Sequence, residues 1–249
     1  MSDIILRTIG LGKRFGGLQA TSNLSLDIMR NETHALIGPN GAGKTTLINQ
    51  LHGTFFPDEG SVIFDGAEIT RDPVHLRALR GLARSFQISQ VVPDFTVQQN
   101  VALAVQARQG HSYRFWRSAA NDERLQAPVR EALDLVDLRG QAHTQAARLS
   151  HGERRQLEIA IALAMKPSLL LLDEPMAGMG RNESLRLVRL LAELKGKYTI
   201  VMVEHDMDAV FSLADRVSVL VQGRLIATGT PAAIRADAAV QAAYLGHQH

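Results

Sequence analysis

GPNGAGKTT at residues 38–46 decides the reading of this chain. It fits the phosphate-binding pattern G-x-x-x-x-G-K-[ST]. The apolar Ala35, Leu36 and Ile37 lead into it and a helix-compatible run over 46–51 follows, so the motif has the strand–loop–helix context it requires. Gly38, Gly41 and Gly43, with Pro39, Asn40 and Ala42 between them, let the backbone fold tightly enough for successive N–H groups to point at phosphate oxygens. The helix that starts behind the loop adds the positive end of its dipole. Lys44 can reach the β- and γ-phosphates as a point charge, the Thr45 hydroxyl can bind Mg²⁺, and Thr46 completes the phosphate-facing run. The competing reading is a glycine-rich turn that happens to match.

The chain has 249 residues, enough for one large domain or two modest ones. It is 45% hydrophobic and 21% charged, ordinary for a soluble globular protein. A net charge of +2 is too weak to argue for nucleic acid. There is no cysteine, which excludes disulfides and Cys-ligated metals and suits the cytoplasm. No apolar stretch reaches the roughly 20 residues needed to cross a bilayer, and no secretory leader is read at the N-terminus. A cytoplasmic chain that does not itself span a membrane is expected.

Outward from the phosphate loop, residues 4–9 and 24–28 read as strands around a bend at Gly16 and Gly17. A turn at 57–60, a strand over 61–64 and a hairpin signal at Asp65 and Gly66 follow. Residues 73–80 read as helix, and the pattern from about 87 to 145 is mostly helical. Within it, 111–124 carries the only tryptophan, Trp116, amid Arg114, Arg117 and Arg124, and reads as an inserted or peripheral segment. From Leu149 the α/β alternation returns. Strands are expected over 169–172 and 199–203, helices over 182–195 and 209–214, a hairpin over 217–228, and one closing helix over 231–245.

A second cluster of chemistry lies at LLLLDEP, residues 169–175. A carboxylate at the C-terminal end of a buried parallel strand lies where α/β folds put ligands. Asp173 can hold Mg²⁺ through water, and Glu174, pointing to the opposite side, can polarise an attacking water. The alternative is a strand end capped by solvated acids. In LSHGE at 149–153, Ser150 and Glu153 form a capping box. This is either a helix start alone or a second phosphate site built from Ser150, the Gly152 N–H and a helix dipole. His205 could contact a γ-phosphate, or be a loop residue. The amide of Gln87 could reach Mg²⁺ or the attacking water. Phe15 could stack on an adenine ring, or be a small core aromatic.

Taken in order, GPNGAGKTT, Gln87, LSHGE, LLLLDEP and His205 make the whole chain resemble the nucleotide-binding subunits of ATP-binding-cassette (ABC) transporters. The resemblance implies an α/β P-loop NTPase fold with a RecA-like core, an antiparallel β subdomain and a helical subdomain over about 88–165, all one domain over 1–249. It implies ATP and Mg²⁺ as cofactors and ATP hydrolysis as the activity. It places Ser150, Gly152 and Glu153 on ATP held by the phosphate loop of a second subunit, in a two-fold homo- or heterodimer. Phe15 falls where the adenine-stacking aromatic lies, and Gln87 in a loop that senses nucleotide and touches the membrane partner. Two departures stand out. His151 and Glu153 replace Gly and Gln of the usual Leu-Ser-Gly-Gly-Gln, and Gly178-Met179-Gly180 stands where Ala-Leu-Asp is common, so Gly180 offers no carboxylate.

RSFQ at 84–87, the insert near Trp116, VEHDM at 203–207 and AAYLG at 242–246 look like the branch serving importers of branched-chain amino acids, urea and short amides. That branch implies permease subunits in the membrane, a periplasmic solute-binding protein acting indirectly, no nucleic acid, and a peripheral location on the inner face of the cell membrane. The rival readings are an ATPase of another ABC system, of lipopolysaccharide-export type, a nucleotide switch that hydrolyses little, and a non-transport ABC ATPase. A single cassette of this length and the presence of Glu174 argue against the last two.

Overall fold

Alternating burial along the first thirty residues builds a hairpin longer than predicted. β1 (Ile4–Phe15) and β2 (Leu18–Met29) pair antiparallel, and register shifts near Leu11 and Lys13 carry the ladder past the 4–9 and 24–28 spans expected from sequence. Such bulges hide a long strand behind a broken period-2 pattern. β3 (Thr33–Ile37) is buried at every position and feeds the phosphate loop, behind which α1 (Lys44–His52) begins. β4 (Glu59–Phe64) and β5 (Ala67–Glu68) return to the first sheet, whose order is β2-β1-β4-β5 and whose pairings are all antiparallel. The computed structural model of the protein describes residues 3–85, 91–109 and 122–245.

The remaining elements are α2 (Val74–Leu79), β6 (Leu82–Ser85), α3 (Val97–Gln109), α4 (Glu123–Leu135), α5 (His151–Ala164), β7 (Leu169–Asp173), α6 (Arg181–Leu194), β8 (Thr199–Val203), α7 (Met207–Leu213), β9 (Arg216–Val221), β10 (Arg224–Gly229), α8 (Pro231–Ala236) and α9 (Ala238–Leu245). The second sheet runs β10-β9-β3-β8-β7-β6, parallel from β9 to β6 and closed by the antiparallel β10. β7 and β8 in its middle are near-continuous apolar runs buried at every position, as strands covered on both faces are, whereas the edge strand β10 alternates exposed and half-buried positions. Leu169 and Leu171 join the core under the antiparallel sheet and α1, whereas Leu170 and Leu172 face the helices on the other side. α3, α4 and α5 pack on one another as a helical group, and α5 leans on β6. Among the described residues no helix is long and apolar enough to cross a membrane.

The closing segment, predicted as one helix, is two. Asp237 adopts extended backbone, and its carboxylate accepts from the N–H groups of Ala239 and Val240 at 2.8 and 3.1 Å, starting α9 afresh.

Candidate functional site

Four parallel strands end side by side at one edge of the second sheet. Leu36 of β3 pairs with Val203 of β8, Asp173 of β7 also pairs with Val203, and Ser85 of β6 pairs with Leu172. The phosphate loop, the acidic pair and His205 therefore leave the sheet together, in the crevice where open α/β sheets bind ligands. Gln87 itself, with Phe86 and Trp116, lies outside the described residues.

The loop at 38–43 is shaped by its glycines. Gly43 has φ 99°, and a Cβ there would sit 2.3 Å from the carbonyl oxygen of Ala20 on β2, so only glycine lets the hairpin press against the start of α1. Lys44, 6% exposed, folds back over the loop, its Nζ donating to the carbonyls of Gly38 and Pro39 at 2.7 and 3.0 Å. Burial lowers its pKa, partly opposed by Glu174 and then Asp173. Both acids are thus close enough to act on the ammonium. Asn40, Gly41 and Thr45 are exposed.

The two acids have different surroundings. Asp173 is 2% exposed, and its Oδ2 accepts from Arg84 Nη2 at 2.7 Å while Arg84 Nη1 donates to Asn49 Oδ1 of α1 at 2.7 Å. One guanidinium fork thereby fastens β6, β7 and α1 together. Glu174 has left-handed backbone, φ 49°, a conformation that costs a non-glycine residue about 1 kcal/mol or more and clusters at functional sites. Its N–H donates to the Val203 carbonyl at 2.9 Å and its Oε1 lies 2.8 Å from His205 Nε2. A carboxylate accepts, so in this arrangement Nε2 carries the proton.

At α5 both halves of the capping box form: Ser150 Oγ accepts from the Glu153 N–H at 3.3 Å and Glu153 Oε2 from the Ser150 N–H at 2.8 Å. Gln141 also donates to Glu153, and these bonds hold its carboxyl below the usual range. The Gly152 N–H faces Oε1 of Glu183 on α6 at 3.4 Å. Among the described residues no hydrogen bond or ion pair joins 150–153 to 38–46. Phe15 is 42% exposed at the hairpin tip, so it is no core aromatic; its ring meets Phe55 edge-on at 5.4 Å.

An ABC transporter family profile matches residues 21–177. The chain belongs to the ABC transporter ATP-binding family. A second profile, the branched-chain amino acid ATP-binding cassette transporter, matches the cassette at residues 224–249. The cassette is 37% identical over 258 residues to the high-affinity branched-chain amino acid transport ATP-binding protein LivG of Escherichia coli K12, and each chain is covered to 99%. It is likewise 37% identical over 256 residues to BraF of Pseudomonas aeruginosa, at the same coverage. Its structure superposes on the ADP conformation of the ATP-binding cassette MJ1267 with a TM-score of 0.86, at 29% identity and with 98% of this chain and 99% of that one covered. The cassette is thus a nucleotide-binding ATPase of α/β fold.

Sequence reasoning missed two of the cassette's residues at the strand ends. Arg84 was visible only as part of RSFQ; its pairing with Asp173 follows from the neighbouring register of β6 and β7. Glu204 was visible only as part of VEHDM at 203–207. An acid directly after the buried run 200–203 was the available signal for it.

Proposed function

We propose that this cassette hydrolyses Mg-ATP in a two-fold dimer and powers import of branched-chain amino acids or related small amides, seated against permease subunits on the inner face of the cell membrane. The observation that carries the solute class is the 37% identity to LivG over 99% of both chains, beside the branched-chain profile at residues 224–249. A periplasmic solute-binding protein would deliver the solute to the permease, and nucleic acid has no part.

In this reading Phe15 stacks on adenine, and the backbone of 38–43 with Lys44, Thr45 and Thr46 cradles the phosphates. The hydroxyl of the exposed Thr45 and the Asp173 oxygen not engaged by Arg84 are hard oxygen donors that suit Mg²⁺, with Gln87 as a third. When bound, Mg²⁺ neutralises charge on the β- and γ-phosphate oxygens. Glu174 takes a proton from the water attacking the γ-phosphorus, as the bond to the β,γ-bridging oxygen breaks and ADP leaves with that oxygen. His205, hydrogen-bonded to Glu174, donates toward the γ-phosphate. Ser150, Gly152 and Glu153 meet the ATP held by the other subunit.

The permease surface is assigned to the Gln87 segment with the helical segment through Trp116, both outside the described residues, and to the described start of the helical group. Phe95 is 37% exposed there and Val92 half-buried. An apolar cavity of about 250 Å³, lined by Val74, Ala78, Ala83, Val91, Ala104 and Ile161, opens between β6, α2 and that group. Uptake of leucine, isoleucine, valine and urea by a strain that lacks this gene and other routes for these solutes tests the reading. Loss of uptake of at least one, restored by the parent chain, is expected. Normal uptake of all four would refute the solute class and leave the ATPase assignment standing.

A further inference from the structure

We infer that Glu204 is a positioning residue that straps the turn after Glu174 to the loop of His205, so that these two side chains are presented to the reacting phosphate as one unit. The inference rests on the roles proposed for Glu174 and His205. Glu204 follows the last residue of β8 and is 4% exposed. Its Oε1 accepts from the N–H of Met176, two residues beyond Glu174, at 2.8 Å. Its Oε2 accepts from the N–H of His205 at 3.0 Å.

Among the described residues Glu204 makes no ion pair with Lys or Arg. A buried carboxylate without a cation is costly to desolvate, and its charge is spent on backbone N–H groups of two separate loops, which are strong acceptor bonds of the charge-assisted kind. What those loops carry is the 2.8 Å contact between Glu174 Oε1 and His205 Nε2. The strained backbone of Glu174 points the same way, because a left-handed non-glycine residue persists only where its surroundings over-determine it. Beyond the Met176 strap, the Glu174 N–H to the Val203 carbonyl is a second tie to β8, so the turn is held at both ends by the strand that leads into His205.

The test compares Glu204→Gln with the parent in the purified full chain. Glutamine keeps the shape but turns an amide N–H₂ toward one of the backbone donors, breaking one strap. We expect kcat to fall by about tenfold while KM and the affinity for a fluorescent ATP analogue stay within about twofold, and the His205 ring ¹⁵N resonances to move. Val201→Ala, a core truncation on β8 remote from the strap, serves as the stability control. A kcat within about twofold of the parent, or an equal kcat loss in Val201→Ala at the same drop in thermal midpoint, would overturn the inference. Should Glu204→Gln not fold, Glu204→Asp, one methylene too short to span both loops, carries the same expectation and the same refutation. Glu174→Gln and His205→Ala run alongside. If both keep parental turnover, the proposed roles fail and this inference with them. If both lose it while Glu204→Gln does not, only the inference fails.

Discussion

Lys44 and Asp173 show how single residues divide the work at the sheet edge. The Lys44 ammonium is buried against two loop carbonyls, which in the proposed reading it exchanges for phosphate oxygens. Removing its charge deletes a bond to a charged group worth about 1.5–3 kcal/mol, so Lys44→Ala should weaken ATP binding by about tenfold or more, measured by calorimetry. Unchanged affinity would remove the loop from the phosphate site. Asp173 depends on Arg84, with both side chains nearly inaccessible. Arg84→Met strands a buried carboxylate, which typically costs about 3–5 kcal/mol when a buried pair is broken from one side. Urea unfolding should show that loss; a loss under about 1 kcal/mol would mean that water reaches Asp173 freely. The phosphate loop was legible in the sequence because its chemistry is contiguous along the chain. The Arg84–Asp173–Asn49 fork was not, because it joins residues 35 and 89 positions apart that only the sheet order brings together.

At the scale of elements, α1 is anchored at both ends. Its start is the phosphate loop. Its last carbonyls, those of Gln50 and Leu51, accept from Arg77 Nη1 at 2.7 Å, and the same guanidinium reaches the carbonyls of Thr70 and Asp72. Burial without a directly bonded carboxylate brings the Arg77 pKa down to about 10. His52, the last residue of α1, is lowered to about 4, first by burial and then by Arg84 and Arg77. Its folded value lies below the unfolded one, so between the two the unfolded chain binds the extra proton. The stability is present at neutral pH and is lost as pH falls through this window. For His52 alone, that linkage amounts to about 2 kcal/mol between pH 7 and pH 5. Urea unfolding at the two pH values should show it, and His52→Gln should remove that share; an identical pH slope in the variant would contradict the assignment. Of the elements themselves, β7 and β8 could be read directly, since their near-continuous apolar runs reflect burial on both faces, whereas of β3 only the apolar run 35–37 was legible, because Thr33 and His34 open the strand. β1 and β2 were read short where bulges break the alternation, and the break at Asp237 was missed because a capping acid inside a run of alanines leaves the helical composition intact.

Across the whole molecule the chemistry is split between two bodies. The sheet edge holds the phosphate loop, Asp173, Glu174 and His205. The helical group holds Ser150 and Gly152 at the start of α5, and within one chain the Gly152 N–H looks toward Glu183 instead of the loop. In the proposed reading, a site divided this way is completed when a second copy brings its α5 onto the first copy's nucleotide. Sedimentation of Glu174→Gln with and without Mg-ATP tests this most directly, because the substitution keeps the shape of the site but removes the proposed base, whose action would end the ATP-bound state. The account predicts retained ATP binding, loss of nearly all turnover, and a dimer that forms only with ATP. A Glu174→Gln chain that hydrolyses ATP at the parental rate, or that stays monomeric at saturating ATP, would contradict it.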